Sequence, residues 1–221
     1  MAAKVIGFVQ QKGGVGKSTH TLNVAFESTL DGKRTLVIDA DPQGSLVGWL
    51  EDRESPLPNG MSIIAMSTTK IHRDISTISE GFDLVLIDGP PRATDIAKSI
   101  MLASDLVVIP CTASGLDVKA SRNTLMAALE AREYSAKLKI VFAINRKPVN
   151  TTIGKSLRES LLEIGDGVPV LNADVCMRIA FAEAISGGLS IQELNTDFKA
   201  RVEIKNLYTE IMRVLYENNE D

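Results

Sequence analysis

The chain has 221 residues, of which 44% are hydrophobic and 24% charged, with a net charge of −4. This is the composition of a globular protein with one substantial core, too short for two ordinary domains, so a single domain over residues 1–221 is expected. Charge, hydropathy and the N-terminal pattern argue against a uniformly nucleic-acid-coating chain, a membrane-spanning helix and a signal peptide, since a strand pattern begins at Lys4.

Residues 5–9 form a short apolar run that ends at a glycine-rich loop and reads as a buried strand. From 18 to about 31, Leu22, Ala25, Phe26 and Leu30 keep helical spacing, and Gly32 stands where a helix-ending glycine belongs. Residues 35–39 predict a second strand. Beyond a Pro- and Gly-containing loop at 55–60, residues 61–66 predict a weaker strand and 70–80 a helix. Three further apolar strands are expected at 82–88, 105–110 and 138–145, each followed by a helical stretch, with 168–171 as a last short candidate. A final helix over about 197–216 spaces Ile204, Leu207, Tyr208, Ile211, Met212 and Leu215 along one face. That face is expected to pack on the core. The acidic end, Glu217-Asn-Asn-Glu-Asp221, would be repelled by an anionic bilayer.

Continuous apolar strands imply cover on both faces. The expected fold is therefore α/β in three layers, a mostly parallel twisted sheet with helices on each side and right-handed crossovers. Cys111 and Cys176 lie far apart and read as small buried residues of a reducing cytosol. With only two histidines and no paired ligand spacing, a structural zinc site is not expected.

The chemistry is concentrated in residues 10–19, Gln-Gln-Lys-Gly-Gly-Val-Gly-Lys-Ser-Thr. Gly13, Gly14 and Gly16 let the backbone bend so that amides from Gly13 through Thr19, Val15 included, can face phosphate oxygens. The helix that begins at Lys17 adds the positive end of its dipole. Lys17 is expected to bridge the β- and γ-phosphates, and the Ser18 hydroxyl to ligate Mg²⁺. A phosphate loop needs one lysine, and Lys12 is a second. It either neutralises charge on its own nucleotide or reaches into a facing copy of the site.

Asp88 ends the third long strand and is expected to hold Mg²⁺, whereas Asp83 begins that strand and is expected to be structural. Asp39 and Asp41, two apart at the end of the second strand, can face the same way. We expect Asp41 to orient the attacking water and Asp39 to support the metal shell, unless one of them only caps the following turn.

Lys-Gly-Gly-Val-Gly-Lys-Ser-Thr, Asp-Ala-Asp-Pro-Gln and the Asp88 strand together resemble the deviant-Walker P-loop NTPases of the ParA and MinD superfamily (SIMIBI type). The likeness runs to the end of the chain and is strongest to the short ParF-like branch, through Ser114-Gly-Leu-Asp117, Glu130-Ala-Arg-Glu-Tyr-Ser135 and Ile144-Asn-Arg-Lys147. The resemblance implies a cytoplasmic, nucleoid-associated Mg²⁺-dependent ATPase in which two ATP-bound protomers meet face to face and Lys12 crosses to the partner's phosphates. It also implies that Asn145 and Arg146 flank the adenine and that Asp117 contacts nucleotide across the homodimer. The ATP dimer would bind nonspecific DNA, and a centromere-binding or cargo adaptor protein would stimulate hydrolysis. The chain starts almost at its first strand, so the helix-turn-helix extension of longer relatives is not expected. His20 stands where a small residue is common and is expected on the helix surface.

Two features bear on partners. Residues 118–160 carry nine basic side chains (Lys119, Arg122, Arg132, Lys137, Lys139, Arg146, Lys147, Lys155, Arg158) against three acidic ones, a local balance of +6. This reads either as a solvated helical face or as a surface for phosphate backbones, to which Arg178, Lys199 and Arg201 could add. A membrane-cycling relative would share the same site, but the acidic end opposes it. A metallocluster relative would need a second cysteine placed like Cys111, and the chain offers none.

Overall fold

Strands and helices alternate along the chain in the order β1 (Lys4–Phe8), α1 (Lys17–Leu30), β2 (Thr35–Asp39), α2 (Ser45–Glu51), β3 (Met61–Ala65), α3 (Ile71–Ile78), β4 (Leu84–Asp88) and α4 (Asp95–Ala103). They continue as β5 (Leu106–Cys111), α5 (Gly115–Tyr134), β6 (Lys139–Ile144), α6 (Ile153–Gly165), α7 (Ile179–Ser186) and α8 (Phe198–Tyr216). The computed structural model describes residues 2–92, 95–112, 115–149 and 153–217, and the side chains of 115–117 and 153–155 lie outside that description.

The six strands form one parallel sheet in the order β3-β2-β4-β1-β5-β6. Successive residues of a strand point to opposite faces, and here both faces are apolar. Ile6 and Phe8 of β1, with Leu84 and Leu86 of β4, pack against α1, α2, α7 and α8. Val5 and Val9, with Val85 and Ile87, pack against α3, α4, α5 and α6. The three-layer α/β fold is as expected. No described helix is long and apolar enough to cross a membrane.

The boundaries carry three corrections. Residues 168–171 do not form a strand but meet β6 at one isolated bridge, Phe142 with Val170. Helices α2 and α7 were not expected. They are seven and eight residues long, too short for a periodic signal to stand out, and α7 is apolar nearly all round. The expectation for α8 holds. Asp197 caps it by accepting from the Ala200 amide at 3.0 Å, and Ile204, Leu207, Tyr208, Ile211 and Leu215 are buried on the core.

Candidate active site

The site is assembled where the carboxyl ends of β1, β2 and β4 lie side by side. Phe8, the last residue of β1, is in register with Asp88, the last of β4, and Asp88 is in register with Asp39, the last of β2. The chain therefore leaves β1 for the glycine loop at the same level at which two carboxylates emerge from neighbouring strands.

In that loop Gly14 (φ 74°) and Gly16 (φ 93°) are left-handed, a region that disfavours other residues. Gly16 is constrained further. A Cβ there would lie 2.0 Å from Nδ2 of Asn145, which donates at 2.7 Å to the Val15 carbonyl. Gly16 precedes α1 without a side-chain cap, and no acidic residue stands in the first helical turn. The opening amides of the helix are thus left for an outside acceptor, and an anion is the natural one.

Lys17 is buried, which lowers its pKa, while the nearby carboxylates of Asp88 and Asp41 oppose that shift. Asp88 is fully buried, and neither carboxylate oxygen has a hydrogen-bond partner of proper geometry among the described residues. Desolvation pushes its pKa up to about 7; Ser18 comes near enough to lower it, Asp39 raises it and Lys17 lowers it. A buried carboxylate without a donor fits a cation, and Ser18 stands beside it to share one.

This arrangement makes a measurable prediction. Asp88 in the folded protein holds a proton that the unfolded chain, at 3.8, has already released. Stability is therefore lost as pH rises from about 4 to about 7, and the loss is complete above that window. In protein free of nucleotide and metal, Asp88→Asn should raise Tm more at pH 8 than at pH 5, by roughly 2–4 °C for each kcal/mol relieved. Thermal melts in EDTA at both pH values check it. A gain that is equal at the two, or larger at pH 5, would refute the assignment.

Asp39 and Asp41 have different surroundings. The Asp39 carboxylate is buried and accepts three backbone amides, from Asp41 at 3.2 Å, Leu46 at 2.8 Å and Val47 at 3.2 Å. It thereby fixes the start of α2, whose own preceding residue, Gly44, offers no side-chain cap. Asp41 is half-buried, accepts from the Gln43 amide at 3.0 Å and lies close enough to act on Lys17. Lys12 is half-buried at the mouth of the loop. The Asp117 side chain falls outside the described residues. Asp83 behaves as expected, pairing with the backbone and guanidinium of Arg34 at the opposite sheet edge.

A cavity of about 590 Å³ opens beside Thr19, lined by Asn145, Arg146, Met177, Ile179 and Phe181 among others. It brings the two expected adenine residues together, although they play different parts. Asn145 is buried and holds the loop, whereas Arg146 is exposed in a left-handed conformation (φ 50°). Met177, just before α7, and Ile179, its first residue, went unread because nothing local marks a cavity wall.

His20 is a correction. It is fully buried rather than on the helix surface, edge-on to Phe8 with ring centroids 6.4 Å apart. Burial pushes its pKa down to about 4, so the ring is neutral at physiological pH. Asn145 raises the value without reaching hydrogen-bond geometry, and Arg146 lowers it. Helix α1 lies between the sheet and α8, so ten of its 14 residues are buried and its polar positions are not all surface positions.

The basic stretch is corrected in part. Lys147 and Arg158 both pair with Asp174, at 2.5 and 2.6 Å. Lys139 donates to the Val214 carbonyl at the end of α8. Arg178 forks onto Glu203 and pairs with Asp197, and Arg201 bonds Gln192. Lys119, Arg122, Arg132, Lys137, Arg146 and Lys199 remain exposed.

A glycine loop joining a strand to an uncapped helix, with a buried lysine and an unpartnered aspartate at the next strand's end, defines a P-loop nucleotide-binding protein. Residues 6–191 match the CobQ/CobB/MinD/ParA nucleotide binding domain. The chain belongs to that family and is a ParA/MinD-type ATPase. It is 28% identical over 203 residues to the maintenance of carboxysome distribution protein A of Halothiobacillus neapolitanus, covering 91% of this chain and 93% of that protein. It is 26% identical over 223 residues to the chromosome-partitioning ATPase Soj of Thermus thermophilus, covering 87% and 90% respectively. Among solved structures it superimposes on the septum site-determining protein MinD of Pyrococcus horikoshii, complexed with Mg-ADP. There the TM-score is 0.75 at 20% identity, over 96% of this chain and 97% of that one.

Proposed function

We propose that the protein is an Mg²⁺-dependent ATPase that dimerises on ATP, binds nonspecific DNA as the dimer, and partitions or positions a cargo, with hydrolysis stimulated by an adaptor protein. The observation that carries this reading is Lys17 enclosed by Asp88 and Asp41 beside the uncapped start of α1, with a second lysine, Lys12, at the mouth of the same loop.

The loop amides and Lys17 hold the phosphates, and Ser18 and Asp88 hold the metal, with Asp39 close behind Asp88. When bound, Mg²⁺ neutralises charge on the phosphate oxygens. Asp41 orients the water that attacks the γ-phosphorus, and the departing ADP oxygen is stabilised by Lys17. The cavity beside Thr19, Asn145 and Arg146 takes the base. Lys12 enters the partner's site and adds positive charge as the γ-phosphoryl group transfers. Phosphoryl transfer asks mainly for positioning and charge neutralisation, which is what these groups offer. The exposed Lys119, Arg122 and Arg132 of α5 are the candidate contacts to DNA backbone, a salt-sensitive and sequence-independent mode.

The cargo reading stands first as plasmid or chromosome segregation, in keeping with the resemblance to Soj. The carboxysome distribution protein, which matches over nearly its whole length, favours a second reading in which the same engine spaces a non-DNA cargo.

Asp41→Ala decides between this engine and its alternatives. It should bind ATP, stop at the ATP dimer and stay on nonspecific duplex DNA, with hydrolysis reduced by about 10²-fold or more. Size-exclusion chromatography and DNA co-sedimentation with ATP, with ADP and without nucleotide provide the check. Retention that ignores the nucleotide, or none at low salt, would sink the DNA reading. Co-sedimentation of the ATP form with anionic vesicles instead would favour a membrane-cycling protein.

A further inference from the structure

Behind the loop lies a buried polar cluster that no phosphate contact requires. The Gln10 side chain is fully buried, and its amide donates at 3.1 Å both to the Pro110 carbonyl and to the Ser121 hydroxyl. Its carbonyl oxygen accepts from the Thr124 hydroxyl at 2.8 Å. That same hydroxyl accepts from the backbone amide of Gln11 at 3.2 Å. Ser121 and Thr124 face inward from α5, and both are completely buried. On its other side, the Gln11 carbonyl accepts at 2.6 Å from the amide of Arg92. Arg92 follows Asp88 by four residues and is held left-handed at φ 75°. Such a conformation is unfavourable for arginine and persists only where the surroundings enforce it.

The residue immediately before Lys12 is thus gripped between α5 and the segment that follows Asp88. Lys12 itself lies four residues beyond the end of β1, outside the sheet's hydrogen-bond ladder. A long flexible side chain acting on a distant phosphate gains most from a rigid base, because displacement by about 1 Å can reduce rate by roughly 10²-fold.

We infer that Thr124, acting through Gln10 and the Gln11 amide, is a positioning residue that presents Lys12 to the reacting phosphates. The inference rests on the reading of Lys12 given above. It separates Thr124 from an ordinary core residue, because a structural role would change stability and nucleotide affinity together, whereas a positioning role acts on turnover alone. The hydroxyl is the working group. Valine keeps the shape and removes it, while serine restores it.

The test uses the full-length protein with Mg-ATP. Thr124→Val should lower kcat by about 10- to 100-fold while a fluorescent ATP analogue binds within about twofold of wild type. Thr124→Ser should recover most of that turnover. Thr124→Val added to Lys12→Ala should cause no further loss, since both remove one function. Should the valine variant fold poorly, Ser121→Ala, which removes the Gln10 contact along with one to the Cys111 thiol but leaves the Thr124 hydroxyl in place, should show the same split at a smaller, roughly threefold, size. Normal kcat in Thr124→Val or in Ser121→Ala, while Lys12→Ala is impaired, overturns the inference and leaves the role of Lys12 intact. A parallel loss of affinity and turnover without serine rescue also overturns it. Normal turnover in Lys12→Ala instead overturns the reading on which it rests.

Discussion

Lys12→Ala should bind ATP with nearly unchanged affinity as a single protomer and lose hydrolysis by about 10³-fold, the lower part of the range seen for charges donated between subunits. The lower part is expected because an ammonium offers a point charge rather than the two-pronged contact of a guanidinium. The motive is charge placement. Lys17 is already buried within the influence of Asp88 and Asp41, and on the proposed reading it serves the nucleotide of its own chain. On that reading, a second cation at the mouth of the loop acts on the partner's phosphates. The clear readout is concentration dependence. Phosphate release per protomer should rise with wild-type concentration through the dimerisation range and stay flat for Lys12→Ala. A variant that follows the wild-type curve would end the cross-subunit role. Mixing Lys12→Ala with Lys17→Ala protomers adds a control. Each mixed dimer then joins an intact phosphate loop to an intact Lys12 at one composite site, so partial activity should return.

Gly16→Ala should abolish nucleotide binding, with affinity reduced by at least about 10²-fold, and it should do so more completely than Gly14→Ala. Both glycines are left-handed, so each substitution costs about 1–2 kcal/mol in backbone strain alone. They differ in what surrounds them. A Cβ at Gly14 meets nothing within 4 Å, whereas at Gly16 it would lie 2.0 Å from Nδ2 of Asn145. Asn145 cannot yield cheaply, because that nitrogen holds the Val15 carbonyl at 2.7 Å and the residue is buried. The substitution therefore pushes the loop off the base-side wall and disorders the amides that receive phosphate. Titration with a fluorescent ATP analogue ranks the two. Equal affinities for Gly14→Ala and Gly16→Ala would show that strain, not the Asn145 contact, sets the loop. Thermal melts separate loss of binding from loss of fold.

Much of the molecule was legible because its signals are local. The loop from Gly13 to Thr19 is contiguous, and its requirements for small residues, a lysine and a hydroxyl are written in order. The strands announced themselves because each is buried on both faces, and the alternation with helices implied a parallel sheet. Asp39, Asp41 and Asp88 could be proposed because strand ends are recognisable in a chain of this type.

Other features escaped because they depend on which segments become neighbours. Asp39 and Asp88 stand in register because β2 lies beside β4, an order that runs β3-β2-β4-β1-β5-β6 and not along the chain. The alternative kept open for Asp39, that it caps a turn, proved to describe its bonds, for both oxygens receive amides around the start of α2. The burial of His20 followed from α1 packing its ring against Phe8 of β1, beside the end of β6. The basic stretch looked unbalanced only along the chain. In space Asp174 meets both Lys147 and Arg158, and Glu203 meets Arg178.

Residue order alone thus determined that the layers must be helix, sheet, helix, and it supplied the phosphate loop and the carboxylates on which the proposed chemistry rests. Tertiary structure decided which charges remain for outside partners and which are consumed within the fold. The reason is that a charge or polar group is defined by its nearest opposite number and its distance from water, and both are set by long-range packing. Turn geometry and strand burial are settled within a few residues; the grip of Thr124 on the segment before Lys12 spans more than a hundred.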